Sequence, residues 1–209
     1  TSCCPAWHAM VHKLFPAQAK NISMTLTPMV YTARMVKREQ PDARIVFVGP
    51  CAAKKLEAIR EDIRSDVDFV LTFEEMAGIF DAKHVDIENI AEDEGGVSAA
   101  SRDGRNFAVA GGVAKSVVDV IAQMYPDKEI KVANAEGLKD CRKLMTMAKT
   151  GKYNGFLLEG MACPGGCVAG AGTLLPIDQA VKGVETAKKL ATRKNPLESE
   201  FSGIAEELV

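Results

Sequence analysis

Four short, largely apolar runs constrain this chain more than any other feature. They are ARIVFVG at Ala43–Gly49, DFVL at Asp68–Leu71, IKVA at Ile130–Ala133 and GFLLE at Gly155–Glu159. Each is long enough for a buried strand and too short for a core helix. Stretches of helical composition separate them, over about 52–64, 73–82, 113–124 and 138–149, with further helices expected at 6–15, 28–37 and 177–193. Strands without polar alternation are covered on both faces, as in parallel sheets. The expected fold class is therefore α/β, a mostly parallel sheet of about four strands with helices on both faces. A short strand in FAVA (107–110) before the Gly111–Gly112 turn, and an exposed acidic loop over 86–106, complete the pattern. Residues 1–195 read as one domain, and 196–209 as a loosely attached tail.

In such sheets ligands sit beyond the carboxyl ends of the strands. Cysteines fall at that edge twice: Cys51 follows the run at 43–49, and Cys163 and Cys167 follow the run at 155–159. Cys3, Cys4 and Cys141 make six in all, too few for the disulfide framework of a small secreted domain. Neighbouring Cys3 and Cys4 are poorly placed for a bridge to each other. Metal or redox chemistry is the better reading. Spacing alone leaves two alternatives open: thiolates around an iron–sulfur cluster or zinc, or thiols buried in the core. The glycines between Cys163 and Cys167 would let backbone amides approach a bound sulfide.

Several residues have plain structural readings. Trp7, with Met10, Val11 and Leu14, marks the apolar face of the first helix. Thr27 and Pro28 read as cap and first residue of the second. Glu57 is placed to pair with Arg60 or Arg64 along a helix. Met24, Met29, Met145 and Met147 read as core fillers, Cys141 as a packing thiol, and His8, His12 and His84 receive no metal role. A net charge of -2 gives no reason to expect nucleic acid or an anionic membrane as partner. No apolar run approaches the ~20 residues needed to cross a bilayer.

Three segments, TSCCPAW (1–7), PCAAKKLEA (50–58) and EGMACPGGCVAGAG (159–172), resemble in order and spacing the signature motifs of iron-only ([FeFe]) hydrogenases. The intervening DVDFVLTFEEMA and AVAGGV are also similar to that family. The resemblance implies one lobe of a two-lobed catalytic domain. It implies reversible interconversion of dihydrogen with protons and electrons at an H-cluster, made of a [4Fe–4S] cluster and a di-iron subcluster with CO, cyanide and azadithiolate. Position by position, it makes Cys4, Cys51, Cys163 and Cys167 the [4Fe–4S] ligands, Cys167 also bridging to the di-iron half. Cys3 becomes the proton relay, and Ser23, whose flanks differ, a residue of the proton path. Pro50, Lys54 and Met161 match residues around the di-iron unit, Lys54 as the ammonium near a cyanide.

The implied partners are an N-terminal lobe and ferredoxin-like domains of a parent protein, a ferredoxin or other electron donor, and maturation proteins. The expected location is cytoplasmic, and the isolated stretch is expected to be inactive without its other lobe. One position departs from the family: Gly49 stands where methionine usually precedes the proline, which opens space beside the di-iron unit. That departure leaves room for a hydrogen- or redox-sensing role. A non-catalytic iron–sulfur protein of cluster assembly is the other alternative. Those relatives, as the family pattern implies, lack the paired cysteines of TSCCP.

Overall fold

The computed structural model describes residues 1–91 and 99–203. The middle of the expected acidic loop and the end of the expected tail lie outside the described residues. Among the described residues are four strands, β1 (Val46–Gly49), β2 (Phe69–Thr72), β3 (Lys131–Glu136) and β4 (Phe156–Met161). All pairing is parallel, as the continuous apolar runs require. The strands form two pairs and not one sheet: β1 lies on β2 with Val46 opposite Phe69, and β3 on β4 with Lys131 opposite Phe156.

Each pair has its own core. Helix α1 (Pro5–Leu14) begins on a proline whose missing N–H costs nothing at the first turn. It buries Trp7 and Val11, and the chain past its end turns Phe15 inward, while Leu14 is 48% exposed. A further turn, α2, spans Pro16–Ala19, and α3 spans Pro28–Glu39. Trp7, Val11 and Phe15 pack with Cys141, Leu144 and Met145 against β3–β4. The second core joins Met29, Val30 and Ala33 of α3 to Ala58, Ile63 and Val67 beside β1–β2.

Helix α4 (Ala53–Ala58) is shorter than its composition suggests. Helix α5 (Phe73–Ala82) starts from a capping box: Thr72 Oγ1 accepts the N–H of Glu75, and the Glu75 carboxylate accepts that of Thr72. The described parts of the acidic loop hold a 3-10 turn at Ile87–Asn89, capped by Asp86, and one helical turn, α6 (Arg102–Arg105), capped by Ser101. The FAVA stretch is not a strand: residues Asn106–Ala108 form a 3-10 turn that leads into α7 (Gly112–Met124). Its backbone serves other partners, because Ala110 N–H donates to Gly165 O. Helices α8 (Leu138–Lys149) and α9 (Ile177–Lys189) complete the set, α9 ending short of the expected 193. Met24 is 90% exposed and fills no core gap. At the C-terminal end, Phe201 O accepts the Tyr31 hydroxyl and Glu200 pairs with Arg193.

Candidate metal centre

The two sheet pairs deliver their carboxyl ends to one place. Cys51 lies two residues past β1 and Cys163 two residues past β4, so the equivalent step off each parallel pair supplies a thiol. Cys4 is the residue on which α1 begins, and Cys167 opens the 3-10 turn Cys167–Ala169. These four and Cys3 all line one mostly apolar cavity of about 190 Å³. Pro50, Lys54 and Met161 line it as well, with Phe47 and Ala108. Of the residues named from the motifs, only Ser23 stands apart. It is exposed, its hydroxyl donates to Thr25 Oγ1 at 3.0 Å, and it borders a cleft of about 160 Å³ on the side of Glu57 and His8.

Backbone close approach shapes the cavity wall. A Cβ on Gly166 would stand 2.6 Å from Ala110 N, and one on Gly170 would stand 2.2 Å from Pro50 O. The loop carrying Cys163 and Cys167 can therefore lie directly on the backbone of its neighbours only because glycine occupies both places. Ala162 N–H approaches Cys4 Sγ at 3.5 Å, the kind of amide–sulfur contact that steadies a ligating thiolate. The space left by Gly49 is not open. Its Cα faces the Phe47 ring, 2.8 Å from where a Cβ would be, so an aromatic side chain of this chain fills the departure from the family pattern.

The sulfurs stand in one another's field. Burial first, then the charges of Cys4 and Cys51, push the Cys167 thiol up to about 12. Cys163 is raised by the same causes in the same order. Cys3 is raised to about 11 by burial, then by Glu159 and Cys4. Thiols raised in this way stay protonated unless a cation takes the charge of their thiolates, and soft sulfur donors suit iron or zinc. Among the described residues no three Cys, His, Asp or Glu side chains are grouped to hold a single metal ion. A [4Fe–4S] cluster makes a different demand, since each iron takes one cysteine and the four ligands surround a volume. Four cysteines around a cavity fit that demand.

Sequence reasoning missed the supports of this site. Lys54 is buried, and its Nζ donates to Glu57 Oε2 at 2.6 Å. Glu57 Oε1 accepts the Thr27 hydroxyl at 2.6 Å. Glu57 thus faces the cavity lysine, and neither Arg60 nor Arg64 as the helical spacing suggested. Thr27 spends its hydroxyl there and makes no side-chain cap for α3. Glu159 is 1% exposed and bonds the backbone of Gly111 and Ala114. The signal available was a lone charge at the end of GFLLE, where a carboxylate in a buried strand demands partners. Cys141 is a packing thiol, fully buried, with Sγ 3.4 Å from Met161 O. His8 and His12 stack with ring centroids 4.2 Å apart and stand outside the cavity lining.

Comparison with known proteins returns one family model and relatives of two kinds. The sequence model of a family described as "Iron only hydrogenase large subunit, C-terminal domain" matches residues 1–171. The chain is 26% identical to the periplasmic [Fe] hydrogenase large subunit of Nitratidesulfovibrio vulgaris, over 82% of this chain and 50% of that one. It is 27% identical to a probable cytosolic Fe-S cluster assembly factor, oxy-4, of Caenorhabditis elegans, over 83% of this chain and 48% of that one. A solved [FeFe]-hydrogenase from Chlamydomonas reinhardtii superposes with a TM-score of 0.71 at 20% identity, over 99% of this chain and 69% of that one. The chain thus spans about half the length of these curated relatives. Among the described residues no helix is long and apolar enough to cross a membrane.

Proposed function

Because the chain belongs to the family of C-terminal domains of iron-only hydrogenases, we propose that it forms the cluster-binding lobe of an [FeFe]-hydrogenase. In this reading Cys4, Cys51, Cys163 and Cys167 hold a [4Fe–4S] cluster, with Cys167 shared with a di-iron subcluster. When bound, the cofactor supplies the redox equivalents and the open iron position for interconverting dihydrogen with protons and electrons. The single observation that carries the reading is the convergence of these four cysteines and Cys3 on one cavity.

The chain's own residues do the rest. Cys3, unligated, keeps a proton on Sγ at the cavity wall and passes it on, a task a ligated thiolate cannot perform. Lys54, oriented by Glu57, turns an ammonium donor toward the cavity for an anionic diatomic ligand. Pro50, Met161 and the Phe47 ring exclude water. Ser23 is assigned to the outer end of a proton path, on the strength of its motif position alone. The second lobe, ferredoxin-like domains, an electron donor and maturation proteins are the partners of this proposal, and the cytoplasm is its location. Alone, this stretch is expected to evolve no hydrogen.

Anaerobic reconstitution with iron and sulfide tests the reading. About four irons per chain and a reduced-cubane EPR signal are expected, lost on Cys51→Ser and kept on Cys141→Ser and Cys3→Ser. Zinc in place of iron, or an iron count indifferent to Cys51, would overturn it. A second reading, a non-catalytic cluster-assembly protein, is favoured by the similarity to oxy-4. Installing the di-iron subcluster in the intact protein separates the two: hydrogen turnover abolished by Cys3→Ser supports the hydrogenase, and a di-iron unit that is never retained supports assembly.

A further inference from the structure

Glu159 has no part in the reading above, yet it is among the most deeply buried side chains, at 1% exposure. Its Oε1 accepts the N–H of Gly111 at 2.7 Å and its Oε2 that of Ala114 at 2.6 Å. Both amides stand at the start of α7, where a helix has no acceptors of its own and its dipole favours an anion. One residue before Gly111, Ala110 N–H donates to Gly165 O at 3.0 Å, and Gly165 lies between Cys163 and Cys167. Glu159 and Gly165 belong to the same strand-and-loop segment, and Gly111 and Ala110 to the same turn. The contacts therefore close a ring.

We infer that Glu159 is a positioning residue which, through this ring, sets the Cys163–Cys167 loop relative to the other cysteines; the inference rests on reading that loop as half of the iron–sulfur site. Swinging the loop away from the cavity means breaking Ala110–Gly165 or pulling the 110–114 turn off a doubly bonded carboxylate. The turn also carries Ala108, part of the cavity wall, so the same tie places wall and ligands together. Glu136 Oε2 accepts Gly165 N–H at 2.7 Å and holds the loop from its other side. Charge-assisted bonds of this kind are the stronger sort, and a buried carboxylate bonded at both oxygens has little freedom to drift.

The rival reading is a buried cap that stabilises α7 and leaves the loop indifferent. Glu159→Gln separates them: it keeps the length but turns one end into a donor facing an amide N–H. In the cluster-free chain, at least tenfold faster hydrogen exchange is expected at Gly111, Ala114, Gly165 and Gly166, with β1–β2 unchanged. After reconstitution the variant should hold less than half the wild-type iron and show a [3Fe–4S] EPR signal as one cysteine falls away. Restoring the charge with a shorter side chain, Glu159→Asp, should not rescue iron content, because one bond cannot span. Loosening confined to 110–114, with the loop and the EPR signal of wild type, would make Glu159 a helix cap and nothing more. Should Glu159→Gln fail to fold, wild type still decides: Gly111 and Ala114 exchanging as fast as the uncapped first turn of α9 overturns the tie. A wild-type chain that takes no iron sinks the functional proposal, while the exchange comparison still judges Glu159.

Discussion

Glu57 and Lys54 form an ion pair 2.6 Å long inside the protein, with the lysine on the wall of the cysteine cavity and the glutamate bonded behind it to Thr27. A buried pair of this kind contributes little over two apolar residues of similar size, but breaking it strands a charge. Glu57→Ala or Lys54→Ala alone should cost about 3–5 kcal/mol of unfolding free energy in urea titrations. The double variant Lys54→Leu/Glu57→Leu should lose much less than the sum of the single changes. Additive losses would mean that the two side chains do not act as a pair.

Trp7, the only tryptophan in the chain, lies against the bare backbone of Gly160 on β4. A Cβ at that position would stand 2.2 Å from the indole ring, closer than any real contact. Gly160→Ala should therefore push Trp7 out of place, cost about 1–3 kcal/mol as overpacking, and shift the tryptophan emission to longer wavelength. Gly183→Ala, inside α9 where a Cβ would meet nothing, is the control: it should leave the emission unchanged and lose no stability, gaining about 0.5–1 kcal/mol from helix propensity.

These two sites show what local sequence can and cannot carry. The parallel strands were legible in runs such as GFLLE because burial on both faces removes polar alternation. Cysteine positions were legible because parallel strands place their ligands at the carboxyl edge. The division into two sheet pairs was not legible, because nothing in a strand's own residues names its neighbour. Glu57 was matched to Arg60 and Arg64 on helical spacing, yet α4 ends at Ala58 and Lys54, three residues back, meets it first. FAVA looked like a strand on composition, but Ala110 gives its N–H to Gly165, a partner distant in sequence. Gly49 promised empty space, and only the fold could bring the Phe47 ring over it.

Asp68, at the entrance to β2, supports a prediction about acid. Its carboxylate accepts the N–H of Ile45 at 2.8 Å and a bond from Arg44 at 2.9 Å, with Lys37 3.4 Å away. The Ile45 amide foremost, then Arg44, hold its pKa at about 2, below the ordinary 3.8. A carboxyl depressed on folding stabilises fully above its unfolded pKa and loses that contribution as pH falls through the folded value. Wild type should therefore exceed Asp68→Asn in stability at pH 5, by a margin that narrows below about pH 4, is small by pH 2 and disappears only below it. Urea midpoints at pH 5, 3.5 and 2 measure the margin, and one independent of pH would remove Asp68 from the acid response.

Gly165 and Gly166 both sit at positive φ, 89° and 97°, inside the loop that carries Cys163 and Cys167. Alanine at either pays the same kind of backbone strain, about 1–3 kcal/mol. What differs is the surroundings. A Cβ at 165 would meet the end of the Ile177 side chain at 3.2 Å, which can give way, while one at 166 would meet Ala110 N at 2.6 Å and Ala108 O at 2.8 Å, which are backbone. Gly166→Ala should therefore be the more destabilising in urea, and it alone should lower iron content after reconstitution, by forcing the loop off the Ala108–Ala110 backbone. Equal iron content in the two variants would show that backbone strain, and not the close approach at 166, is all that the glycines relieve.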